Sequence, residues 1–312
     1  MITARLYDAA DRQAWDSFVD GSKNGTFMLK RGYVEYHADR FVDASVVFED
    51  DAGSVVAVMP ASRHGDEVRS HGGLTYGGVI TDRRMTAVRM LEVFDALRAY
   101  LKAEGVARLV YKRVPAIYYG YPSDEDLYAL FRCGARLSRR DIASTIDLAD
   151  PIPFANVRTR YVKKAAKNGL CVRQTDDYDG YVRLLTDVLM THHNARPPHT
   201  GGELRLLASR FPDEVKLYCA YRGDEMLAGV LAFLTPRVLH TQYIANSEAG
   251  RPIGALDLVM DYLVREVAAG RRYFDFGICT EQDGRYLNEG LIGQKEMFGG
   301  RGVAYDFYEM EV

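Results

Sequence analysis

Residues 84–103 set Ala87, Met90, Leu91, Phe94, Leu97 and Leu101 at helical spacing. The run stops near Gly105, and ARLVYKRV follows as a strand. The same unit recurs further on. Over 252–269, Leu256, Met260, Leu263 and Val267 keep a 4-3-4 rhythm, Pro252 suits a first turn, Gly270 suits the stop, and RRYFDFGI follows as a buried strand. Gly105 and Gly270 stand 165 positions apart. Each copy continues through a second helix to a Phe (Phe131, Phe298) and a Gly-containing turn into a last strand. The starts echo too: RLYDAAD begins at Arg5 and RQTDDYD at Arg173. Helix–Gly–strand is a common sequence, so chance is the plain alternative. A shared order over this length favours a duplicated domain, at a period too long for a solenoid.

Hairpin signals fill the middle of each half: ASVVFED and SVVAVMPAS around DDAG, then EVKLYCAYRG and MLAGVLAFL around RGDE. Helices, an antiparallel meander, then helix, strand, helix, strand make each half α+β. Pro151 and Pro153 in LADPIPFAN break the pattern, which divides the chain into 1–150 and 151–312. The 312 residues suffice for two ordinary domains. A net charge of -3 gives no reason to expect a general nucleic-acid or membrane binder. Cys133, Cys171, Cys219 and Cys279 are scattered, with no CxxC pair, as expected in a reducing cytoplasm. No signal peptide and no membrane span are read, so the expected location is cytoplasmic.

NEGLIGQKEMFGG places Asn288, Ile292, Glu296 and Gly299 on the segment N-x-x-A-I-x-L-Y-E-K-L-G-F typical of GNAT proteins. Lys295 stands where that family carries Tyr. NGTFMLKRGYVEYHADRF, SHGGLTYGG, PPHTGGELRLLASRFP, HTQYIANS and YFDFGICTEQDGRYLNEGLIGQKEMFGGRG resemble bacterial tandem-GNAT proteins of the FemAB-like group, especially N-acyltransferases of nucleotide-linked amino sugars. The resemblance implies two tandem GNAT-like modules, each a mixed, mostly antiparallel sheet flanked by helices. It implies an N-acyltransferase that takes its acyl group from acyl-coenzyme A and gives it to a nucleotide-linked amino sugar in surface-polysaccharide assembly. The first module would hold the acceptor and the second the carrier. The alternatives are an aminoacyl-tRNA-dependent peptidyltransferase, whose long helical arm has no counterpart here, and a non-catalytic tandem that binds a nucleotide sugar or a protein.

Several segments supply candidate residues. SEAGRPIGALD offers Gly250, Arg251, Gly254 and Ala255 at a helix start, where unpaired N–H groups suit a pyrophosphate, with Asn288 added from the family segment. An ordinary glycine turn is the alternative, and the family's Q/R-x-x-G-x-G/A register does not fit. Lys295 would protonate or stabilise the leaving thiolate, and Lys295→Ala is expected to lower turnover without unfolding. In THHNARPPHT, His199 follows two stiffening prolines, with His192 and His193 before it. His199, or His240 in LHTQYIA, would take the proton from the amine. No metal is expected, because HHxxxxxH lacks a recognised ligand spacing. Asp275 in YFDFG either orients a histidine or accepts backbone N–H bonds. For the acceptor, Tyr76 and Tyr118 offer aromatic faces, while Lys30 and Arg113 offer phosphate partners; a tyrosine-rich interior is the alternative. The basic run RTRYVKKAAKNG reads as a solvated helix face or a phosphate contact.

Overall fold

The computed structural model describes residues 1–70, 72–193 and 195–312. The chain forms two compact units, one of Met1–Asp141, Gln282–Gly284 and Ala304–Val312, the other of Ile142–Glu281 and Arg285–Val303.

The first unit runs β1 (Ile2–Leu6), α1 (Arg12–Gly21), α2 (Arg31–Val34), β2 (Val42–Asp43), β3 (Val46–Asp50), β4 (Val55–Met59), β5 (Ser62–His64), β6 (Glu67–Arg69), β7 (Ile80–Thr81), α3 (Ala87–Ala103), β8 (Arg108–Lys112), α4 (Glu125–Arg132) and the start of β9 (Arg136–Asp147). Thr86 caps α3 by accepting the Arg89 N–H at 3.3 Å. Met90, Phe94, Leu97 and Leu101 form its buried stripe against Phe48, Leu109 and Tyr111; Ala87, expected on that stripe, is exposed at the helix mouth.

The second unit runs from the later part of β9 through α5 (Asn156–Lys167), β10 (Cys171–Gln174), α6 (Tyr178–His193), α7 (Gly201–Arg210), β11 (Val215–Arg222), β12 (Glu225–Leu234), β13 (Val238–Asn246), α8 (Ala255–Tyr262), β14 (Tyr273–Ile278), β15 (Thr280–Glu281), β16 (Tyr286–Leu287) and α9 (Glu289–Glu296) to the start of β17 (Arg301–Glu311). From α3 to β9 the order is helix, strand, helix, strand, and from α8 to β17 it is the same with the short β15–β16 hairpin inserted after β14. The closing strands are exchanged. β8 pairs with β17, while β14 pairs with the later part of β9. The units therefore part inside β9, at Asp141/Ile142, and the chain end returns to the first unit.

The helix expected over 252–269 is segmented. Arg251–Ile253 is a 3-10 turn, and Gly254 turns left-handed at φ +79°. The α-helix begins only at Ala255, so Pro252 precedes it. Leu263–Val267 widens into a π-turn closed by Ala268 N–H on the Leu263 carbonyl at 2.8 Å.

Candidate active site

Strands β13 and β14 run parallel but pair only over Val238–His240 and Tyr273–Asp275. Beyond that step they part. Opposite Leu231 and Ala232, β13 carries Gln242 as an extra residue, so Tyr243 and Thr241 face the two. Alternation then divides the side chains. Leu239, Phe274 and Phe276 join the core under α8 with Leu256, Val259 and Met260. His240 and Asp275 point to the other face, and the bulge brings Tyr243 to their side. Tyr181 of α6 packs on that face too, against Gly229 of β12, whose added Cβ would lie 2.8 Å from its ring.

A cavity of about 480 Å³ opens at the parted strands. Ile244 and Asn246 of β13, Phe276 of β14, Leu256 and Met260 of α8 and Lys295 of α9 line it. Val188 of α6 also lines it, so the cavity reaches the opposite face. Arg158 and Arg251 place positive charge at its wall.

His240 is buried on β13, and its Nδ1 lies 2.8 Å from Asp275 Oδ2. The other Asp275 oxygen accepts from Thr145 Oγ1 at 3.1 Å and from the Gly277 N–H at 2.9 Å. Asp275 thus both orients the histidine and holds backbone. A carboxylate on Nδ1 fixes the neutral ring as the Nδ1–H tautomer and leaves Nε2 as the basic nitrogen. Gly277, at φ +72°, sits directly against this ring: its added Cβ would lie 3.2 Å from His240 Cε1. The Gly277 carbonyl accepts from Lys295 Nζ at 3.0 Å, and the Ile278 carbonyl accepts at 2.9 Å. Lys295 is buried, and desolvation lowers its pKa despite Cys279 and Asp275 nearby. His199 also reaches this face, with Nδ1 2.6 Å from Tyr243 Oη. Two histidines distant in sequence therefore meet one strand. The side chains of His192 and His193, and residue His71, lie outside the described residues.

The glycine turn behaves otherwise than expected. The Gly250, Arg251, Ile253, Gly254 and Ala255 N–H groups all donate within the turn itself. Gly250, Gly254 and Ala255 are buried, and an added Cβ on Gly254 would lie 2.4 Å from the Tyr161 carbonyl of α5. Asp257 occupies the first turn of α8 and accepts from Arg158 at 3.2 Å. Of the four turn residues, only Arg251 lines the cavity. Asn288 is a helix cap: its Oδ1 accepts the Leu291 N–H at 2.9 Å, and its Nδ2 donates to Glu281 at 2.8 Å.

Three of the first-unit candidates, Tyr76, Tyr118 and Arg113, are interior residues, and Lys30 is half-buried. Tyr76 is fully buried, packs at a tilt against Tyr118 with ring centroids 4.7 Å apart and bonds Thr26 at 3.0 Å. Tyr118 meets the Tyr305 hydroxyl at 3.3 Å. Arg113 is enclosed by Asp126 and Asp124, which raise its pKa further. Lys30 pairs with Asp20 at 2.6 Å. The burial of these rings and the pairing of both cations favour the structural alternative over ligand contact. Sequence spacing could not reveal the Arg158–Asp257 pair or Tyr243, because both depend on tertiary contacts and on the bulge.

Lys295→Ala removes the donor from the buried Gly277 carbonyl. The variant is expected to lose about 1–3 kcal/mol of stability, readable by urea denaturation, rather than to keep wild-type stability. Wild-type stability in Lys295→Ala would show that the Gly277 and Ile278 carbonyls find other donors.

Residues 155–286 match a model of the acetyltransferase (GNAT) domain. No curated protein matches the chain in sequence. Among solved structures, FemX is similar at 12% identity, covering 99% of this chain and 97% of that one, with a TM-score of 0.71. L-PGS from Bacillus licheniformis is similar at 12%, covering 97% and 91%, with a TM-score of 0.63. A tandem GNAT protein from the clavulanic acid biosynthesis pathway is similar at 14%, covering 100% and 98%, with a TM-score of 0.54. The chain has the α+β fold of tandem GNAT proteins. Among the described residues no helix is long and apolar enough to cross a membrane, and no group of three or more His, Cys, Asp or Glu is placed to hold a metal.

Proposed function

We propose that the second unit moves an acyl group from a thioester carrier, acyl-coenzyme A in the first instance, onto an amine. The observation that carries this reading is the cavity at the parted strands, with the His240–Asp275 pair at their last paired step. The amine attacks the acyl carbonyl carbon as His240 Nε2 takes its proton. The tetrahedral intermediate then collapses, the C–S bond breaks, and the thiolate leaves as the thiol, taking the proton that His240 Nε2 accepted from the amine. Lys295, a cation in the cavity wall, favours the negative charge as it develops. His199 and Tyr243 position the amine on the face of His240. The acceptor is a nucleotide-linked amino sugar, the class implied by the sequence resemblance.

A second reading has one observation in its favour. The turn that would cradle a pyrophosphate spends its N–H groups internally, and Asp257 puts a carboxylate at the start of α8. An aminoacyl ester, which needs no pyrophosphate cradle, suits that arrangement. A thermal shift series separates the two. Acetyl-coenzyme A with a nucleotide amino sugar should each raise the Tm, by about 2.7 kcal/mol of linkage at a hundredfold excess over Kd. No shift with any coenzyme A species, alongside a shift with an aminoacyl-adenosine ester, would favour the second reading.

A further inference from the structure

The first unit contains a second cavity of about 480 Å³, lined by none of the candidate residues above. It lies on one face of the sheet β17–β8–β6. Val68, Leu109, Tyr111 and Met310 point from these strands into the core, so their neighbours Glu67, Arg69, Arg108, Lys112 and Phe307 stand on the opposite face. Phe307 pairs across the strands with Lys112, and Arg108 with Glu67.

Most charges on this face are already matched. Buried Glu67 accepts from Arg69 at 2.5 Å and pairs with Arg108. Arg139 reaches Asp141 at 2.9 Å and Asp283 at 2.6 Å. Lys112 differs. Its Nζ donates to the Leu74 carbonyl at 2.6 Å, and it makes no ion pair among the described residues. Burial and then the positive charge of Arg139 lower its pKa to about 8, against the opposing effect of Asp141. The carboxylate that acts on it, Asp141, is already bonded to Arg139 at 2.9 Å, so an ammonium held there is costly unless a further anion arrives. Beside it lies the Phe307 ring, with Lys112 Nζ 5.1 Å and the Arg139 guanidinium 4.7 Å from its centre.

We propose that this cavity binds a phosphorylated small molecule, the phosphate meeting Lys112 and an apolar or planar part of the ligand packing beside Phe307. Lysine is a compact point charge suited to a phosphate, and Phe307 supplies the apolar surface that selects an organic phosphate over the free ion. This cavity shares no lining residue with the donor cavity, but a nucleoside monophosphate is also a fragment of the proposed acceptor, so the inference rests in part on that reading and the Lys112 variants separate the two.

The test is calorimetric titration of the full chain with uridine monophosphate, uridine and inorganic phosphate. The monophosphate should bind, and uridine should bind at least about tenfold more weakly, the loss expected for a hydrogen bond to a charged group. Lys112→Met should weaken the monophosphate by a similar factor, while Lys112→Arg should retain it. A folding control comes with the same variant. The wild-type Lys112 has a folded pKa of about 8 against an ordinary 10.5, so the unfolded state holds the proton more tightly. Wild-type stability should therefore rise between those pH values, and Lys112→Met should be folded and lack that rise. Equal affinity in Lys112→Met, or no binding of either phosphate at millimolar concentration, overturns the proposal.

Discussion

His240→Ala is expected to lower turnover by about 10²–10⁴-fold, the usual contribution of a positioned general base. The reason is geometric. Asp275 holds Nδ1 at 2.8 Å, so Nε2 is the nitrogen that accepts the amine proton. Added imidazole should restore part of the rate in the alanine variant. Asp275→Asn should fall comparably, because its amide would donate to Nδ1 and move the ring proton to Nε2. Its remaining oxygen can keep both bonds, from Thr145 and from the Gly277 N–H, since one Asp275 oxygen already accepts the two, so the loss should fall on turnover rather than on stability. Full activity in His240→Ala would pass the proton to His199, on the same face through Tyr243, or to the substrate itself.

The largest expected effect on stability comes from a glycine. Gly254→Ala should destabilise the protein by roughly 2–4 kcal/mol, the sum of a left-handed backbone and an overpacked contact. Gly254 has φ +79°, and its added Cβ would lie 2.4 Å from the Tyr161 carbonyl. The partner is backbone and cannot rotate away. Gly270 is the control. It has φ +81° with nothing within 4 Å of an added Cβ, so Gly270→Ala should cost only about 1 kcal/mol. Equal losses at the two positions, measured by urea denaturation, would mean that α5 shifts to accommodate the methyl.

These contrasts explain what could be read from the chain beforehand. The order helix, Gly, strand, helix, strand was legible because hydrophobic spacing and left-handed glycines are local signals, and both halves carry them. The exchanged closing strands were not legible. β9 reads as the end of one half, yet its later residues pair with β14. Nothing local records which edge a strand will join. His240, His199 and Lys295 were found as candidates from residue type, position and the family segment, but their partners were not. His240 meets Asp275 across a strand pair, and Lys295 reaches the carbonyls around Gly277. The carrier turn misled because glycines mark close approach without saying by what; here it is the Tyr161 backbone. Tyr76, Tyr118 and Arg113 misled for a related reason. Aromatic rings and arginines suit ligands and interiors alike, and only burial and the Asp126 partner tell them apart.

Hydrogen exchange with and without acetyl-coenzyme A tests the donor cavity most directly. The expected result is slowed exchange confined to residues 244–246 of β13, the start of α8 and residues 291–298, which together surround the cavity. Slowed exchange confined to the first unit, or none at saturating donor, would contradict the placement of acyl transfer at the parted strands.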